Sequence, residues 1–121
     1  MSNQSIVRLH AQVTISPTDW ERFTQMVNEV KKIVQQEGSE NVLTHVTYHQ
    51  ADSYECLIIE AYKDEAAFLS HLEAIKPLSE KYTVDWTVNR MELSGSYSES
   101  TVAFMKGVSQ GGDFVFYNHQ L

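Results

Sequence analysis

The sequence has one cysteine, two prolines, no apolar run longer than a few residues, and nine basic side chains against sixteen acidic ones. Each scarcity excludes something. A lone Cys56 forms no internal disulfide, and its place within an apolar stretch marks a buried, inert thiol rather than a nucleophile. A formal net charge of −7 excludes a nucleic-acid surface, which requires a basic patch to meet phosphate. The apolar runs fall far short of the roughly 20 residues that span a bilayer. The first ten residues, MSNQSIVRLH, lack the charged and apolar regions of a signal peptide, so a cytoplasmic protein is expected. At 121 residues the chain is one domain's worth. Such a domain buries about two-thirds of its unfolded surface, so pairing with another chain would help it.

The hydrophobic pattern is readable in order. Alternation from Ile6 to Ile15 predicts a strand with Val7, Leu9, Ala11, Val13 and Ile15 on one face and Arg8, His10, Gln12 and Thr14 on the other. Ser16-Pro17-Thr18-Asp19 reads as an N-cap with proline at the first helical position. Trp20, Phe23, Val27, Val30 and Val34 then form one apolar helical stripe that Gly38 is placed to end. Asn41 to Gln50 predicts a second strand, with Val42, Thr44, Val46 and Tyr48 on one face and Leu43, His45, Thr47 and His49 on the other. Ala51-Asp52-Ser53 is a turn.

In the third strand both parities are apolar, Cys56 and Ile58 against Leu57, Ile59 and Ala61, as in a strand covered on both faces. Two helices cover only one face of a small sheet, so a second copy of the sheet is the candidate cover for the other. Asp64 is a candidate N-cap for a second helix with an inner stripe of Phe68, Leu72 and Ile75, His71 lying beside it. Pro77 is expected to end or kink that helix near Lys76. Val84, Trp86 and Val88 alternate, and the parity change to Met91 and Leu93 predicts a bulge near Asn89-Arg90. Beyond a linker at residues 94–98 come a third helix over Thr101 to Gln110, a Gly111-Gly112 turn and a last strand over Phe114 to His119. The order is the split βαβ arrangement of an α+β, ferredoxin-like domain (βαββαβ), here over residues 1–94, with residues 95–121 as a helix-strand extension of the same domain.

Few residue clusters point to chemistry. His45 and His49 share a strand face, but four strand residues span about 13 Å, too far for one ion. With no second cysteine and no H-E-x-x-H pattern, no metal site is expected. Arg8, His10 and Gln12 are placed to line a polar cavity or, more simply, to meet a partner sheet or solvent. Glu60, at the exit of the third strand, reads as a solvated or ion-paired strand end more readily than as a catalytic base. Tyr62, Phe68, Tyr48 and Trp86 are candidates for an aromatic substrate pocket, although aromatics at these spacings are usually core. His71 stands out. It lies at the margin of an apolar stripe, and imidazole is the side chain that exchanges a proton near neutral pH. No nucleotide-binding or serine-nucleophile motif is present.

At Glu60-Ala61-Tyr62-Lys63-Asp64-Glu65, followed by Ala67-Phe68 and His71-Leu72, the chain resembles the antibiotic biosynthesis monooxygenase family of dimeric α+β barrels. That family's signature is a glutamate, one residue, an aromatic, a polar turn and a helix bearing a histidine-leucine pair. Gln36-Glu37-Gly38 is similar to the family's glutamate-glycine ending of the first helix. The likeness spans roughly Val7 to Leu93. It implies a homodimer with facing sheets, a cavity in each subunit reached from the helix position of His71, and oxidation of a quinol or polycyclic phenol by O2 with no metal or flavin. On this resemblance His71 is the catalytic base or proton shuttle, Tyr62 and Trp86 are pocket walls, and the partners are a second copy, a small aromatic substrate and O2, with no cofactor.

The chain departs from the pattern at Ala74-Ile75-Lys76, where many members carry a second histidine. The haem-degrading branch differs at His71, Lys81 and Ala11, so haem chemistry is disfavoured. The string EAYKDE is also similar to an isomerase branch that processes a phosphorylated autoinducer. That branch implies proton transfer beside a carbonyl and a cationic anchor such as Arg8, Arg90 or Lys76. A third reading, a dimeric binding domain without catalysis, would follow from an exposed His71 with no cavity beneath it.

Overall fold

The computed structural model describes residues 5–121. Nine elements follow in order: β1 (Val7–Ile15), a short 3-10 turn (Pro17–Asp19), α1 (Trp20–Glu37), β2 (Val42–His49), β3 (Glu55–Tyr62), α2 (Glu65–Lys81), β4 (Trp86–Ser94), α3 (Glu99–Val108) and β5 (Asp113–Tyr117). The strands form one sheet in the order β2-β3-β1-β4-β5, with every pairing antiparallel except β4 with β5. The first four strands in that order make the ferredoxin-like sheet expected from the sequence. The extension joins the same sheet, because β5 lies parallel to β4 with α3 as the crossover.

Alternation in β1 translates directly into burial: Val7, Leu9, Ala11, Val13 and Ile15 are buried, and the residues between them are exposed or half-buried. The register carries that face across the sheet. Leu9 lies opposite Glu60 of β3 and Leu93 of β4, and Val13 opposite Cys56 and Val88. The helices lie on this face, where Phe23, Tyr62, Phe68, Met91 and Met105 join the core. Gly38 ends α1 with φ of 91°, and its N–H donates to the Val34 carbonyl. The expected bulge in β4 is present, where the register with β1 shifts between Gln12 and Val13 and leaves Asn89 unpaired.

Three expectations need correction. Ser16 makes no side-chain cap; Pro17 opens a 3-10 turn and the α-helix starts at Trp20. Pro77 does not interrupt α2, which runs unbroken to Lys81 with that proline on its exposed side. The faces of β2 are not a simple alternation. Val42 pairs with Tyr62 but Thr44 with Ala61, so Leu43 is an extra residue, and this bulge puts Val42 on the same face as His45. The face of β3 carrying Leu57 and Ile59 is not covered by the helices, and Leu57 is exposed. Among the described residues no helix is long and apolar enough to cross a membrane.

Candidate functional site

Asp64 starts α2 as its N-cap, its side chain accepting from the Ala67 N–H at 2.8 Å. From that fixed start, residues at three-residue steps turn Phe68 and His71 inward. His71 is 1% exposed. Its Nδ1 lies 2.8 Å from Oε1 of Glu37, the last residue of α1. A carboxylate in that position accepts from Nδ1–H, and the ring's second nitrogen, Nε2, is turned away from it. That Nε2 is buried and has no hydrogen-bond partner among the described residues.

Two groups from the sheet meet the same ring. His45 of β2 packs against it with 4.9 Å between ring centroids and the planes tilted by 54°, and Glu60 of β3 sits directly opposite His45 in the strand register. His45 Nε2 is 3.6 Å from Glu60 Oε2. The other oxygen of Glu60 accepts a 2.5 Å hydrogen bond from the Tyr62 hydroxyl. One nitrogen or oxygen from each of His45, Glu60 and His71 lies within 4.8 Å of the other two. Burial lowers the pKa of His45 against the opposing pull of Glu60, so its neutral form is favoured. Burial pushes the Tyr62 hydroxyl far up, and the carboxylate beside it adds to the effect, so Tyr62 acts only as a neutral donor.

Beside this cluster lies a cavity of about 880 Å³ between the sheet and helices α1, α2 and α3. Leu72, Met91, Phe104 and Met105 give it a mainly apolar wall, and Glu60 is the member of the cluster that faces it. A buried carboxylate on an apolar wall, with a histidine pair behind it, is an arrangement for moving protons to and from a bound molecule.

Of the residues singled out from the sequence, Trp86 walls the cavity. Tyr62 and Phe68 are fully buried, pack edge to face at 5.3 Å and lie behind the cavity, with Tyr62 5.4 Å from the His71 ring. His71 is not itself a wall residue. Tyr48 points to the helix-free face of the sheet and is 61% exposed, remote from this cluster. His49 packs on Trp20, not near His45. Glu37, which the sequence does not single out as a site residue, and Glu60, expected as a strand end, both belong to the cluster. Glu60 and Tyr62 share a strand face by their spacing of two, a signal present in the sequence. The approach of Glu37 to His71 has no sequence signature.

No protein-family model matches the sequence, and no curated protein is significantly similar to it. Solved structures are similar to it in shape. MupZ from Pseudomonas fluorescens superposes with a TM-score of 0.75 at 18% identity, over 97% of this chain and 92% of that one, so the likeness takes in the α3–β5 extension. A Bacteroides thetaiotaomicron protein assigned as an antibiotic biosynthesis monooxygenase gives 0.60 at 22%, over 82% of this chain and 93% of that one. SnoaB, a cofactor-independent oxygenase from Streptomyces nogalater, gives 0.60 at 13%, over 78% and 95%. The chain therefore has the α+β fold of the antibiotic biosynthesis monooxygenase structures, enlarged by one helix and one strand.

Proposed function

We propose that the protein is a cofactor-independent monooxygenase that oxidises a quinol or polycyclic phenol with O2, and that His71 is its base or proton shuttle. The observation that carries this reading is the buried His71–Glu37 pair set behind Glu60 at the wall of a mainly apolar cavity. Its volume suits a planar molecule of several fused rings. The fold shared with SnoaB and the assigned monooxygenases agrees with it.

In such a reaction the substrate supplies every electron. Loss of a proton from an anthrone-type CH2 or its phenol tautomer gives a phenolate-stabilised carbanion. That carbon bonds to O2, giving a hydroperoxide after protonation. Cleavage of the O–O bond leaves a carbonyl on carbon and releases water, so CH2 and O2 become C=O and H2O with no outside reductant. His71, oriented by Glu37, is the base or proton shuttle of this scheme, and Glu60 is the member of the cluster that faces the bound substrate. The apolar wall keeps water from the carbanion. The active form is a homodimer whose sheets face each other, a reading supported by the exposed Val46, Tyr48 and Leu57 on the helix-free face.

Oxygen uptake by metal-stripped protein against a panel of hydroquinones and anthrones tests the proposal, run beside His71→Ala and Glu60→Gln. Uptake above the spontaneous rate that collapses in both variants is expected. Uptake unchanged in His71→Ala would place the base elsewhere, and no uptake with any substrate would end the oxygenase reading. The isomerase reading has one observation in its favour: of Arg8, Arg90 and Lys76, only Lys76 lines the cavity, where it would anchor an anionic substrate. Solvent deuterium exchange into a phosphorylated dicarbonyl without oxygen uptake would select it. The condition for a non-catalytic binding domain, an exposed His71 over no cavity, is not met.

A further inference from the structure

We propose that His45, Glu60 and His71 together form a binding site for one divalent first-row transition ion, with Zn2+, Co2+ or Fe2+ as the fitting class. Three observations converge on it. The first is spacing. Around one ion with bonds of about 2.0–2.2 Å, neighbouring ligand atoms stand about 3–3.5 Å apart. The gap from His45 Nε2 to Glu60 Oε2, 3.6 Å, is close to that already, and all three ligand atoms fall within 4.8 Å of one another. Small side-chain rotations close the rest.

The second observation is the outer set of contacts. Glu37 holds His71 by Nδ1, so the ring presents Nε2, and the Tyr62 hydroxyl holds one oxygen of Glu60, so the carboxylate presents the other. A carboxylate behind a ligating histidine and a hydrogen bond to the idle oxygen of a ligating carboxylate are the usual supports of a metal site. His71 Nε2 itself is buried and without a hydrogen-bond partner among the described residues, so it is open to an ion.

The third observation is charge. Glu37 and Glu60 both approach this cluster, and among the described ion pairs neither meets a lysine or arginine; their only partners are the two histidines. Two carboxylates brought together in a place largely removed from water, with no lysine or arginine beside them, make an electrostatic environment that suits a dication. Two nitrogens and one carboxylate favour a transition ion over Ca2+ or Mg2+, which select oxygen. Because Glu60 also faces the cavity, a fourth coordination position would lie toward a molecule bound there.

This site shares residues with the proposed oxygenase but does not depend on it, since the ion and a substrate proton would compete for the same His71 lone pair. Metal-stripped protein is titrated with Co2+ and with Zn2+, by visible absorption and calorimetry, without substrate. One ion per chain is expected, with ligand-field bands from Co2+ that Zn2+ displaces. Glu37→Gln is expected to weaken binding about 10–100-fold, the range for outer contacts, and His45→Ala and Glu60→Gln to weaken it further. In wild-type protein Zn2+ should shift the imidazole nitrogen resonances of His45 and His71, and not those of His10, His49 or His119, which makes the test independent of how well any variant folds. No uptake of either ion, uptake that survives both His45→Ala and Glu60→Gln, or shifts confined to the other histidines would overturn the site. Failure of the site leaves oxygen uptake by metal-stripped protein untouched, and failure of the oxygenase leaves Co2+ binding untouched.

Discussion

Glu37 Oε1 lies 2.8 Å from His71 Nδ1, so the final residue of α1 fixes the ring at the centre of the proposed site on α2. Truncating it leaves a buried N–H without an acceptor, at a cost of about 1–3 kcal/mol. Glu37→Ala should lower the urea midpoint accordingly, while Glu37→Gln, which keeps a carbonyl oxygen in reach, should recover most of the loss. Equal midpoints for wild type and Glu37→Ala would mean that the pair contributes nothing to stability.

Glu65 links α2 to the start of α3 by accepting from both the N–H and the hydroxyl of Ser98, at 2.8 and 2.9 Å. Burial works against ionisation of its carboxyl, but the hydroxyl of Thr101 and the two Ser98 donors outweigh it and hold its pKa below the usual range. A depressed folded-state pKa gives stability that is present above the unfolded value of about 4.3 and is lost as pH falls through the folded one. The midpoint gap between wild type and Glu65→Gln should therefore be widest near neutral pH and shrink on acidification. A gap that grows toward low pH would contradict the assignment.

Pro77 sits inside α2 on its exposed side, where it lacks the N–H that would bond to the Glu73 carbonyl. Proline in a helix interior costs up to about 3 kcal/mol relative to alanine. Pro77→Ala should stabilise the fold by a part of that, about 1–2 kcal/mol, visible as a raised thermal midpoint with an unchanged circular dichroism spectrum.

Ile75 stands half-buried on the cavity wall, one helical turn beyond His71, and its side chain has no hydrogen-bonding atom to contribute to the cluster. Ile75→Trp should narrow the cavity, raise KM for a three-ring substrate at least about 10-fold and leave kcat for a one-ring hydroquinone nearly unchanged, since one lost methylene-sized contact is already worth about 1–3 kcal/mol. A parallel fall in kcat for both substrates would show that the wall also positions the reacting groups.

The strand order and the helix faces were legible because they rest on local alternation: the parity of Val7 to Ile15, the stripe from Trp20 to Val34 and the Asp64 cap each follow from neighbours in sequence. His71 was legible for the same reason, as the odd polar residue beside an apolar stripe. Its companions were not. His45 comes opposite Glu60 through β2–β3 pairing whose register shifts at the Leu43 bulge, and Glu37 is thirty-four positions from the histidine it holds. Local propensity at Pro77 predicts a helix end or kink, and the burial of Leu78 just beyond it accompanies a helix that continues to Lys81. Tyr48 is a pocket candidate by residue type but lies on the helix-free face, because strand parity alone does not reveal which face of the sheet the helices choose.

The extension has a bearing on how such a protein changes over generations. Phe104 and Met105 of α3 form part of the cavity wall, while His45, Glu60 and His71 all come from the βαββαβ part of the chain, residues 1–94. Substitutions in α3 can reshape what the cavity admits without disturbing a single contact of the cluster that would react. Selection for new molecules and retention of one chemistry are thereby placed on separate segments, and a library confined to residues 99–108 would explore the first at little risk to the second.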